Sequence, residues 1–374
     1  MSASDVSKNL TDLILDGTKI QWHQDRIDMD ARGERFAPIT IDMALTRACN
    51  LACNYCYAQM QENERKSFTK ETVFNFIDDC AEVGVKGISL VSDGESTLSP
   101  FFVEAITRGH ERGISMASGT NGLLLTETKL RAVIPCLTYM RFNITAGEKK
   151  RYKEIMGSRE NGLDKFIEVA TNAVRIKKET GSKCTLGFQM VLMPQFEDQI
   201  IPLAKLGREI GVDYLVIKHC SDDEEGFLGV DYSGYERMYS KLLEAESMST
   251  DTYRVAAKWS KIKADGKRSY QRCYGAPYLL QISGSGLVAP CGMLFGERYK
   301  KFHIGNIVTE RFKDIVFSER YWEVMNYLRS EDFDAQKMCG SLCLQHKVNE
   351  HLDAIRKGAT AAPVFGTPEH INFI

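Results

Sequence analysis

The sequence predicts an α/β protein built on a parallel sheet. From residue 39 onward, strand-like apolar runs alternate with stretches whose apolar residues recur at helical spacing. Glycines stand where four of these helices should end, at Gly84, Gly113, Gly181 and Gly211. Repeated strand-then-helix units pair their strands in parallel through right-handed crossovers. The pattern by itself leaves open whether the sheet is doubly wound or curved into a barrel.

The predicted elements follow in regular order after an N-terminal extension. Residues 1–38 carry a short helical pattern at Leu10, Leu13 and Ile14 and then a charged stretch, which is too little for an independent domain. Strands are expected at 39–45, 86–91, 114–118, 138–144, 184–192 and 213–218. Helices are expected at 69–83, 100–112, 126–134, 162–179 and 197–210. We therefore place one α/β domain at 39–225.

The remainder of the chain divides into smaller units. An acidic run, 221–225, is expected to be a solvated loop at the domain boundary. A helical linker is expected at 226–262, with a polar helix around 232–247, followed by a small α+β domain at 263–350 and a tail at 351–374. Within the small domain, 279–282 and 286–290 are predicted to form a hairpin. A length of 374 residues agrees with two domains.

Composition and charge exclude several classes of function. Hydrophobic residues make up 43% and charged residues 26% of the chain, and the formal net charge of −2 argues against nucleic acid or an anionic membrane as a partner. No apolar run approaches the roughly 20 residues of a membrane span, and residues 1–16 lack the apolar core of a signal peptide. Eleven cysteines without an export signal favour a reducing compartment and metal ligation. We expect a cytoplasmic protein.

Three cysteines follow directly after the first predicted strand. Cys49, Cys53 and Cys56 are separated by three and then two residues, so one loop can offer three thiolates to an iron–sulfur cube. The fourth iron would then lack a protein ligand and stay open to a small molecule. The alternative is zinc, although zinc sites usually pair C-x2-C with a second pair and close four ligands.

This stretch resembles the signature of the radical S-adenosylmethionine (SAM) superfamily. Besides the spacing C-x3-C-x2-C, Asn50, Leu51 and the aromatic Tyr55 before the last cysteine fit the pattern. The resemblance implies an open, six-stranded partial (β/α)6 radical SAM barrel with its active site at the C-terminal strand ends, where the cysteines lie. It also implies that SAM chelates the open iron of the [4Fe–4S] cluster. Reductive cleavage of SAM would then give a 5′-deoxyadenosyl radical, which abstracts hydrogen from the substrate.

Further matches lie after the later strands. Gly94 and Glu95 stand in place of the family's Gly-Gly-Glu-Pro motif, which holds the SAM amino group, whereas Asp93 and Ser96 depart from it. Residues 119–122 resemble the Thr-Asn-Gly of many relatives, and 141–147 stands where relatives often have Ser-Ile-Asp-Gly. The resemblance thus implies a SAM site made of Tyr55, Gly94, Glu95, Ser96, Asn121, Asn143, Thr145 and Gln189. For Gln189, a core amide with satisfied hydrogen bonds is the alternative.

Four further cysteines lie in the small domain, at Cys273, Cys291, Cys339 and Cys343. The first pair embraces the predicted hairpin in the pattern C-x12-G-x4-C, and Gly-Asn-Ile at 305–307 precedes a predicted helix around Trp322. These features resemble the SPASM/twitch extension of radical SAM enzymes, in its shorter form with one auxiliary [4Fe–4S] cluster. Four thiolates would ligate that cluster fully, which implies electron transfer rather than substrate ligation. A four-cysteine zinc site is the alternative.

The resemblance implies an enzyme of oxidoreductase or lyase type. The first hypothesis is hydrogen abstraction from a small polar metabolite such as a sugar, nucleotide-sugar or cyclitol, ending in dehydrogenation, dehydration or epimerisation. An electron donor such as flavodoxin or ferredoxin is the expected partner. Arg141, Lys218 and His219 are the candidate catalytic residues, and Tyr274 is a further candidate for acid–base work. The alternatives are a peptide- or protein-modifying SPASM maturase and a non-catalytic iron–sulfur or zinc regulator.

Overall fold

A ten-stranded sheet runs through the structure, a computed structural model that describes residues 18–61, 66–264, 266–339, 343, 345–360 and 366–374. The strands are β1 (Thr40–Met43), β2 (Gly87–Leu90), β3 (Ser115–Thr120), β4 (Leu137–Asn143), β5 (Thr185–Leu192), β6 (Tyr214–His219), β7 (Arg254–Ala257), β8 (Leu279–Ile282), β9 (Leu287–Ala289) and β10 (Gly305–Asn306). Their order across the sheet is β10-β9-β8-β1-β2-β3-β4-β5-β6-β7. The helical pattern at Leu10, Leu13 and Ile14 lies outside the described residues.

Strands β1 to β7 lie in chain order, and each neighbouring pair is parallel. The predicted α/β fold with a parallel sheet is therefore confirmed. β7 adds a seventh parallel strand within the segment that the sequence analysis treated as a helical linker. Its four residues, Arg-Val-Ala-Ala, are too short a run to show the period of two that identifies a strand.

The predicted C-terminal hairpin extends the same sheet at its other edge. β8 pairs with β1 in parallel, with Ile41 opposite Leu280, whereas β9 pairs with β8 and β10 with β9 in antiparallel register. The carbonyl of Tyr278 accepts hydrogen bonds from the N–H groups of Ile39 and Thr40 at 2.9 and 3.2 Å. The two regions that carry the cysteines therefore share one sheet.

Helices connect and pack against the strands. They are α1 (Gln24–Ala31), α2 (Lys70–Val83), α3 (Phe102–Glu111), α4 (Glu127–Val133), α5 (Lys149–Met156), α6 (Gly162–Thr180), α7 (Ile200–Ile210), α8 (Tyr239–Ser247), α9 (Trp259–Ile262), α10 (Phe312–Phe317), α11 (Glu319–Arg329) and α12 (His346–Arg356). Left-handed glycines end α2, α6 and α7 at Gly84, Gly181 and Gly211, as predicted. No helix among the described residues is long and apolar enough to cross a lipid bilayer.

Buried ion pairs join the C-terminal domain to the α/β domain. Asp79 of α2 is fully buried and accepts a hydrogen bond from Arg311 Nε, just before α10, at 3.0 Å. In the acidic run, Asp223 is buried, and its Oδ2 accepts from Arg298 Nη2 at 2.6 Å. The prediction of a solvated acidic loop is therefore wrong at Asp222 and Asp223, which are both buried. The charge of Asp223 is compensated by an arginine that is 75 residues away in the chain.

The tail crosses the N-terminal ends of the parallel strands. The Thr40 hydroxyl of β1 donates to the carbonyl of Asn372 at 2.7 Å. On β5, the Thr185 hydroxyl lies 3.0 Å from Nε2 of the buried His370. The tail therefore contacts β1 and β5 at their N-terminal ends, a placement that the sequence leaves open.

Candidate active site

A cavity of about 760 Å³ runs along the inner face of the parallel strands. Alternate strand residues line it, namely Thr40, Asp42, Tyr139, Arg141, Asn143, Gln189, Val191 and Lys218. The residues between them, such as Met140 and Phe142 of β4, belong to the hydrophobic core. Because side chains alternate between the two faces of a strand, the polar set is directed inward as a group.

Cys49, Cys53 and Cys56 line this cavity from the loop that follows β1. All three are free thiols; Cys49 is exposed and the other two are partly buried. The last turn of α5 holds the loop, since its carbonyls accept hydrogen bonds from the N–H groups of Ala52 and Asn54 at 3.2 and 3.0 Å. The sequence analysis did not predict α5, because its run Lys-Lys-Arg-Tyr-Lys-Glu-Ile-Met is dominated by charge.

The electrostatics of the three cysteines suit a metal cluster. Burial raises the pKa of each thiol, and at Cys53, where Cys56 and Cys49 add to the effect of burial, the pKa reaches about 12. Thiolates in this place therefore need positive charge from a bound group. Iron supplies such charge, and coordination deprotonates a thiol outright. By its donor chemistry, this set fits a cluster in which each of three irons takes one thiolate.

The loop after β2 packs against the segment that leads into these cysteines. Gly94 has a φ of +92°, and a Cβ at this position would lie 2.2 Å from the carbonyl oxygen of Thr46. Glycine is therefore required here for two independent reasons. The next residue, Glu95, donates its N–H to the carbonyl of Ala48 at 2.8 Å. The loop and the cysteine segment are thus one unit.

The Glu95 carboxylate is buried and organises the strand ends around it. It accepts hydrogen bonds of 2.7 to 3.1 Å from Thr97 N, Thr97 Oγ1, Thr120 Oγ1 and Asn121 N. The Asn121 amide in turn donates to Asn50 Oδ1, between the first two cysteines, at 2.8 Å. Glu95 and Asn121 therefore hold the ends of β2 and β3 against the cysteine loop, and both line the cavity.

Asp93, where the family motif has glycine, contacts the C-terminal hairpin. Its carboxylate is buried and accepts from Ser283 Oγ at 2.7 Å, from Gly284 N at 2.8 Å and from Arg47 Nε at 3.1 Å. Gly284 also has no room for a side chain, because a Cβ would lie 2.2 Å from the backbone of Thr46. The departure from the family pattern therefore has a structural reason, which is the attachment of the hairpin turn to the loop that carries Glu95.

The structure places most of the predicted SAM-binding residues on the cavity. Those that line it are Tyr55, Gly94, Glu95, Ser96, Asn121, Asn143 and Gln189. Gln189 Nε2 donates to Asn143 Oδ1 at 3.0 Å, so these two amides face the cavity together. Thr145 is absent from the lining; it is buried, and its hydroxyl accepts from the N–H of Val191 on β5 at 3.2 Å. The Tyr55 hydroxyl donates to Sδ of Met156, which also lines the cavity, at 3.0 Å.

A second group of side chains that the sequence analysis missed lines the same cavity. It comprises Asp42, Lys258, Lys261 and Gln281, which join Arg141 and Lys218. Burial raises the pKa of Asp42 to about 7, opposed by Arg141 and Lys218. Burial lowers the pKa of Lys218 to about 7, and the Arg141 charge lowers it further. One signal was present in the sequence, since Thr40 and Asp42 alternate with Ile39, Ile41 and Met43.

The structure does not bring His219 to the cavity. It follows Lys218 on β6 and therefore points to the opposite face. Its ring is buried against Tyr232 and Tyr235 at centroid distances of 6.0 and 6.2 Å. Burial lowers the pKa of His219 to about 3, so the ring is neutral near pH 7. Tyr274 also lies outside the cavity lining, with the Arg356 guanidinium 4.5 Å from its ring centroid.

The four C-terminal cysteines lie within electrostatic range of one another. Burial and the neighbouring thiols of Cys339 and Cys343 raise the pKa of Cys273 to about 12, and the same causes raise the pKa of Cys291. Asn349 Nδ2 lies 3.7 Å from Cys273 Sγ and 3.5 Å from Cys343 Sγ. N–H donors of this kind stabilise thiolates and adjust the potential of a cluster that they hold.

A cationic donor completes the surroundings of this second cysteine set. Arg268 Nη2 lies 3.7 Å from Cys339 Sγ. Within the described part of the chain, no three His, Cys, Asp or Glu side chains are grouped closely enough to hold one metal ion. Cluster ligands differ from those of a single ion, because each thiolate binds its own iron. The four thiols, with the N–H donors of Asn349 and Arg268 beside them, therefore fit a cluster in which each iron takes one thiolate.

Comparison with known protein families finds two family models in the chain. Residues 43–207 match the family model of the radical SAM superfamily. Residues 273–343 match the model of an iron–sulfur cluster-binding domain, SPASM. The first match contains the three-cysteine loop and Glu95, and the second begins and ends on cysteines of the second set.

Individual relatives are distant in sequence. The chain is 22% identical to the tungsten-containing aldehyde ferredoxin oxidoreductase cofactor-modifying protein of Pyrococcus furiosus, over 75% of this chain and 81% of that protein. It is 26% identical to the AdoMet-dependent heme synthase of Methanosarcina barkeri, over 83% and 90% of the two chains. Streptococcus suis SuiB bound to SAM superposes with a TM-score of 0.62 at 16% identity, over 80% of this chain and 71% of SuiB. SuiB is also known bound to its precursor peptide SuiA. The likeness to SuiB shows a common fold.

Proposed function

The chain belongs to the radical SAM superfamily and carries a C-terminal SPASM domain, and from this premise we propose that it cleaves SAM reductively and abstracts hydrogen from a small polar metabolite. It is an enzyme that holds a [4Fe–4S] cluster with SAM and an auxiliary iron–sulfur cluster. The observation that carries the proposal is one cavity of about 760 Å³, which the cysteine loop, the Glu95 loop and a group of acid–base side chains all line. That volume is in the range of small-molecule sites.

In this proposal, each part of the cavity has a defined role. Cys49, Cys53 and Cys56 would hold the first cluster, which together with bound SAM would supply the chemistry of reductive SAM cleavage. Glu95 and Asn121 shape the SAM site, because they fix the strand ends against the cysteine loop. Both side chains are buried, which fixes their positions beside the cavity.

The C-terminal set has a separate role in the proposal. Cys273, Cys291, Cys339 and Cys343 ligate one auxiliary [4Fe–4S] cluster on all four irons, which suits electron transfer. Lys261 lines the substrate cavity and donates to the carbonyl of Cys343 at 3.0 Å. The side chain of Lys261 therefore contacts both the cavity and the second cysteine set. Flavodoxin or ferredoxin is the proposed electron donor.

The proposed substrate is a small molecule, with dehydrogenation, dehydration or epimerisation as the outcome. Two relatives that align over most of this chain are named for a cofactor and for heme. The peptide complex of SuiB concerns a protein that shares the fold at 15% identity, so peptide modification is the alternative that substrate screening decides. On β4 and β6, Arg141 and Lys218 are the side chains that face the substrate in this proposal.

The test measures iron content and SAM cleavage after anaerobic reconstitution. The wild type is compared with a Cys49→Ala/Cys53→Ala/Cys56→Ala variant and with a Cys136→Ala/Cys184→Ala control, whose cysteines are absent from the cavity lining. We expect about eight irons per chain in the wild type and in the control, and about four in the triple variant. With dithionite, 5′-deoxyadenosine should form in the wild type and the control alone.

Two results would contradict the proposal. One is zinc in place of iron in the reconstituted wild type. The other is a fully iron-loaded wild type that forms no 5′-deoxyadenosine, since the enzymatic role rests on SAM cleavage. A variant of the C-terminal set, Cys339→Ala/Cys343→Ala, should lose iron while it keeps the spectrum of the first cluster.

A further inference from the structure

The cavity has an excess of positive charge that the SAM site does not use. Its charged lining comprises Arg47, Arg141, Lys218, Lys258 and Lys261 against Asp42 and Glu95. The Glu95 carboxylate already accepts hydrogen bonds from Thr97, Thr120 and Asn121. Arg47 is paired with Asp93, and Lys261 donates to a backbone carbonyl. Among the acidic side chains that line the cavity in the described part of the chain, Asp42 is therefore the one left to offset Arg141 and Lys218.

Arg141 has a glycine beside it on each neighbouring strand. In the parallel ladder it lies between Gly119 of β3 and Gly187 of β5. A Cβ on Gly119 would be in ordinary contact with Arg141 Nη2, at 3.5 Å, whereas the space at Gly187 is filled by the Tyr214 ring. The Nε of Arg141 is buried and lacks a hydrogen-bond partner within the described structure. Buried guanidinium donors normally have acceptors, so this one points to a missing ligand.

Lys218 and Asp42 complete the pattern from two other strands. Lys218, on β6, and Arg141 repel each other, and both attract Asp42 on β1. Asp42 has one long hydrogen bond, from Gln281 Nε2 at 3.4 Å. Burial brings the pKa of both Asp42 and Lys218 to about 7, so near neutral pH each of these two groups is only partly charged. An anion between Arg141 and Lys218 would relieve their repulsion and supply the missing acceptor.

We propose that Arg141 and Lys218 bind an anionic group of the substrate, a carboxylate or a phosphate. The inference rests on the proposed function, because it assumes that the cavity beside the cysteine loop receives the substrate, and it narrows the substrate class. An acidic metabolite supplies a counter-charge to Arg141 and favours the protonated form of Lys218, whereas a neutral sugar or cyclitol supplies neither. The planar fork of Arg141 suits two oxygens of one anionic group, and Lys218 adds a point charge.

The experiment measures binding to the anaerobically reconstituted full chain in the presence of saturating SAM, by titration calorimetry. The probes are tricarballylate for carboxylates, inorganic pyrophosphate for phosphates and myo-inositol as a neutral polar control. Each is titrated into the wild type, Arg141→Gln and Lys218→Met. The matched controls, Arg159→Gln and Lys205→Met, remove exposed cations of the same types elsewhere on the surface.

We expect one anionic probe to bind the wild type and both control variants, and myo-inositol to bind none of them. Each cavity variant should weaken that binding roughly tenfold or more, since charge-assisted hydrogen bonds are lost. Which probe binds distinguishes a carboxylate from a phosphate substrate. The inference is refuted if neither anion binds, if both cavity variants bind as the wild type does, or if anions bind only without SAM, because Arg141 and Lys218 would then serve the carboxylate of SAM itself.

Two further measurements keep the outcomes separate. If Arg141→Gln does not fold, the Lys218→Met variant and the comparison with myo-inositol still show whether the cavity binds an anionic group. Formation of 5′-deoxyadenosine by the wild type is assayed in parallel. Cleavage without anion binding refutes the inference and leaves the proposed function intact, whereas anion binding without cleavage overturns the proposed function.

Discussion

Asp93 is the residue whose removal should separate the C-terminal hairpin from the loop that carries Glu95. Its carboxylate is 1% exposed and accepts three hydrogen bonds, from Ser283 Oγ, Gly284 N and Arg47 Nε. In Asp93→Ala, Ser283 keeps a second partner in the Ser285 hydroxyl at 3.2 Å. Gly284 N–H has no such replacement. A buried donor left without an acceptor, together with the weakened bonds to a charged group, costs about 3 kcal/mol.

The free energy that is lost should appear as faster local opening of the hairpin. A change of about 3 kcal/mol corresponds to roughly a hundredfold increase in the opening equilibrium. Hydrogen–deuterium exchange of peptides that span 279–289 measures this, with the amide of Gly284 as the direct reporter. Asp93→Asn keeps one acceptor oxygen, so we expect a smaller increase, of about tenfold.

A matched variant tests whether the effect is local. Asp79→Ala breaks a different contact between the domains, the pair with Arg311. It should accelerate exchange at 312–317 and leave 279–289 unchanged. If Asp93→Ala exchanges at 279–289 within about threefold of the wild type, the carboxylate does not hold the hairpin and the reasoning fails.

Two further predictions concern a glycine and a histidine. Gly94→Ala places a Cβ 2.2 Å from the Thr46 carbonyl oxygen, whereas Gly113→Ala, at a similar positive φ of +76°, places its Cβ with no atom within 4 Å. SAM affinity is measured by equilibrium dialysis on reconstituted protein. It should fall at least tenfold in Gly94→Ala and stay unchanged in Gly113→Ala. Burial lowers the pKa of His370 to about 3 from an ordinary value of 6.5. Below pH 6.5 the released tail therefore binds more protons than the docked tail, and docking weakens by about 1.4 kcal/mol per pH unit. Because the imidazole of the released tail is already half protonated at pH 6.5, exchange at 366–374, corrected for its intrinsic rate, should rise roughly fivefold from pH 6.5 to pH 5.5. His370→Phe should abolish that rise, and an equal rise in both proteins would contradict the assignment to His370.

Features that depend on neighbouring residues were predictable from the sequence. The parallel α/β sheet follows from strand and helix periods repeated along the chain, and the helix ends follow from glycines such as Gly84 and Gly181. The two cysteine sets are recognisable by their spacing, and Gly94 and Glu95 are recognisable by their place after the second predicted strand, where the family motif is expected. Each of these signals lies within a few dozen residues, where local geometry limits the possible structures.

Other features depend on which face of a strand a residue occupies and on which strands become neighbours. Lys218 and His219 are adjacent in sequence, yet the pleat directs one into the cavity and the other toward Tyr232 and Tyr235. Asp42 resembles any polar residue in a short strand until β4 and β6 bring Arg141 and Lys218 opposite it. The phase of a strand relative to the sheet is set by packing, and a sequence shows only its period.

The sequence by itself determined the resemblance to the family, the parallel sheet and the presence of two cysteine sets, because repeated periods and close spacing carry that information locally. Tertiary structure alone decided that the C-terminal hairpin joins β1, that Asp93 attaches this hairpin to the Glu95 loop, and that the tail crosses beneath the strands. These contacts join residues nearly 200 to more than 300 positions apart. Contacts over such separations form only when the burial of many other side chains compensates for the entropy lost in closing the intervening loop. No local sequence pattern therefore predicts them.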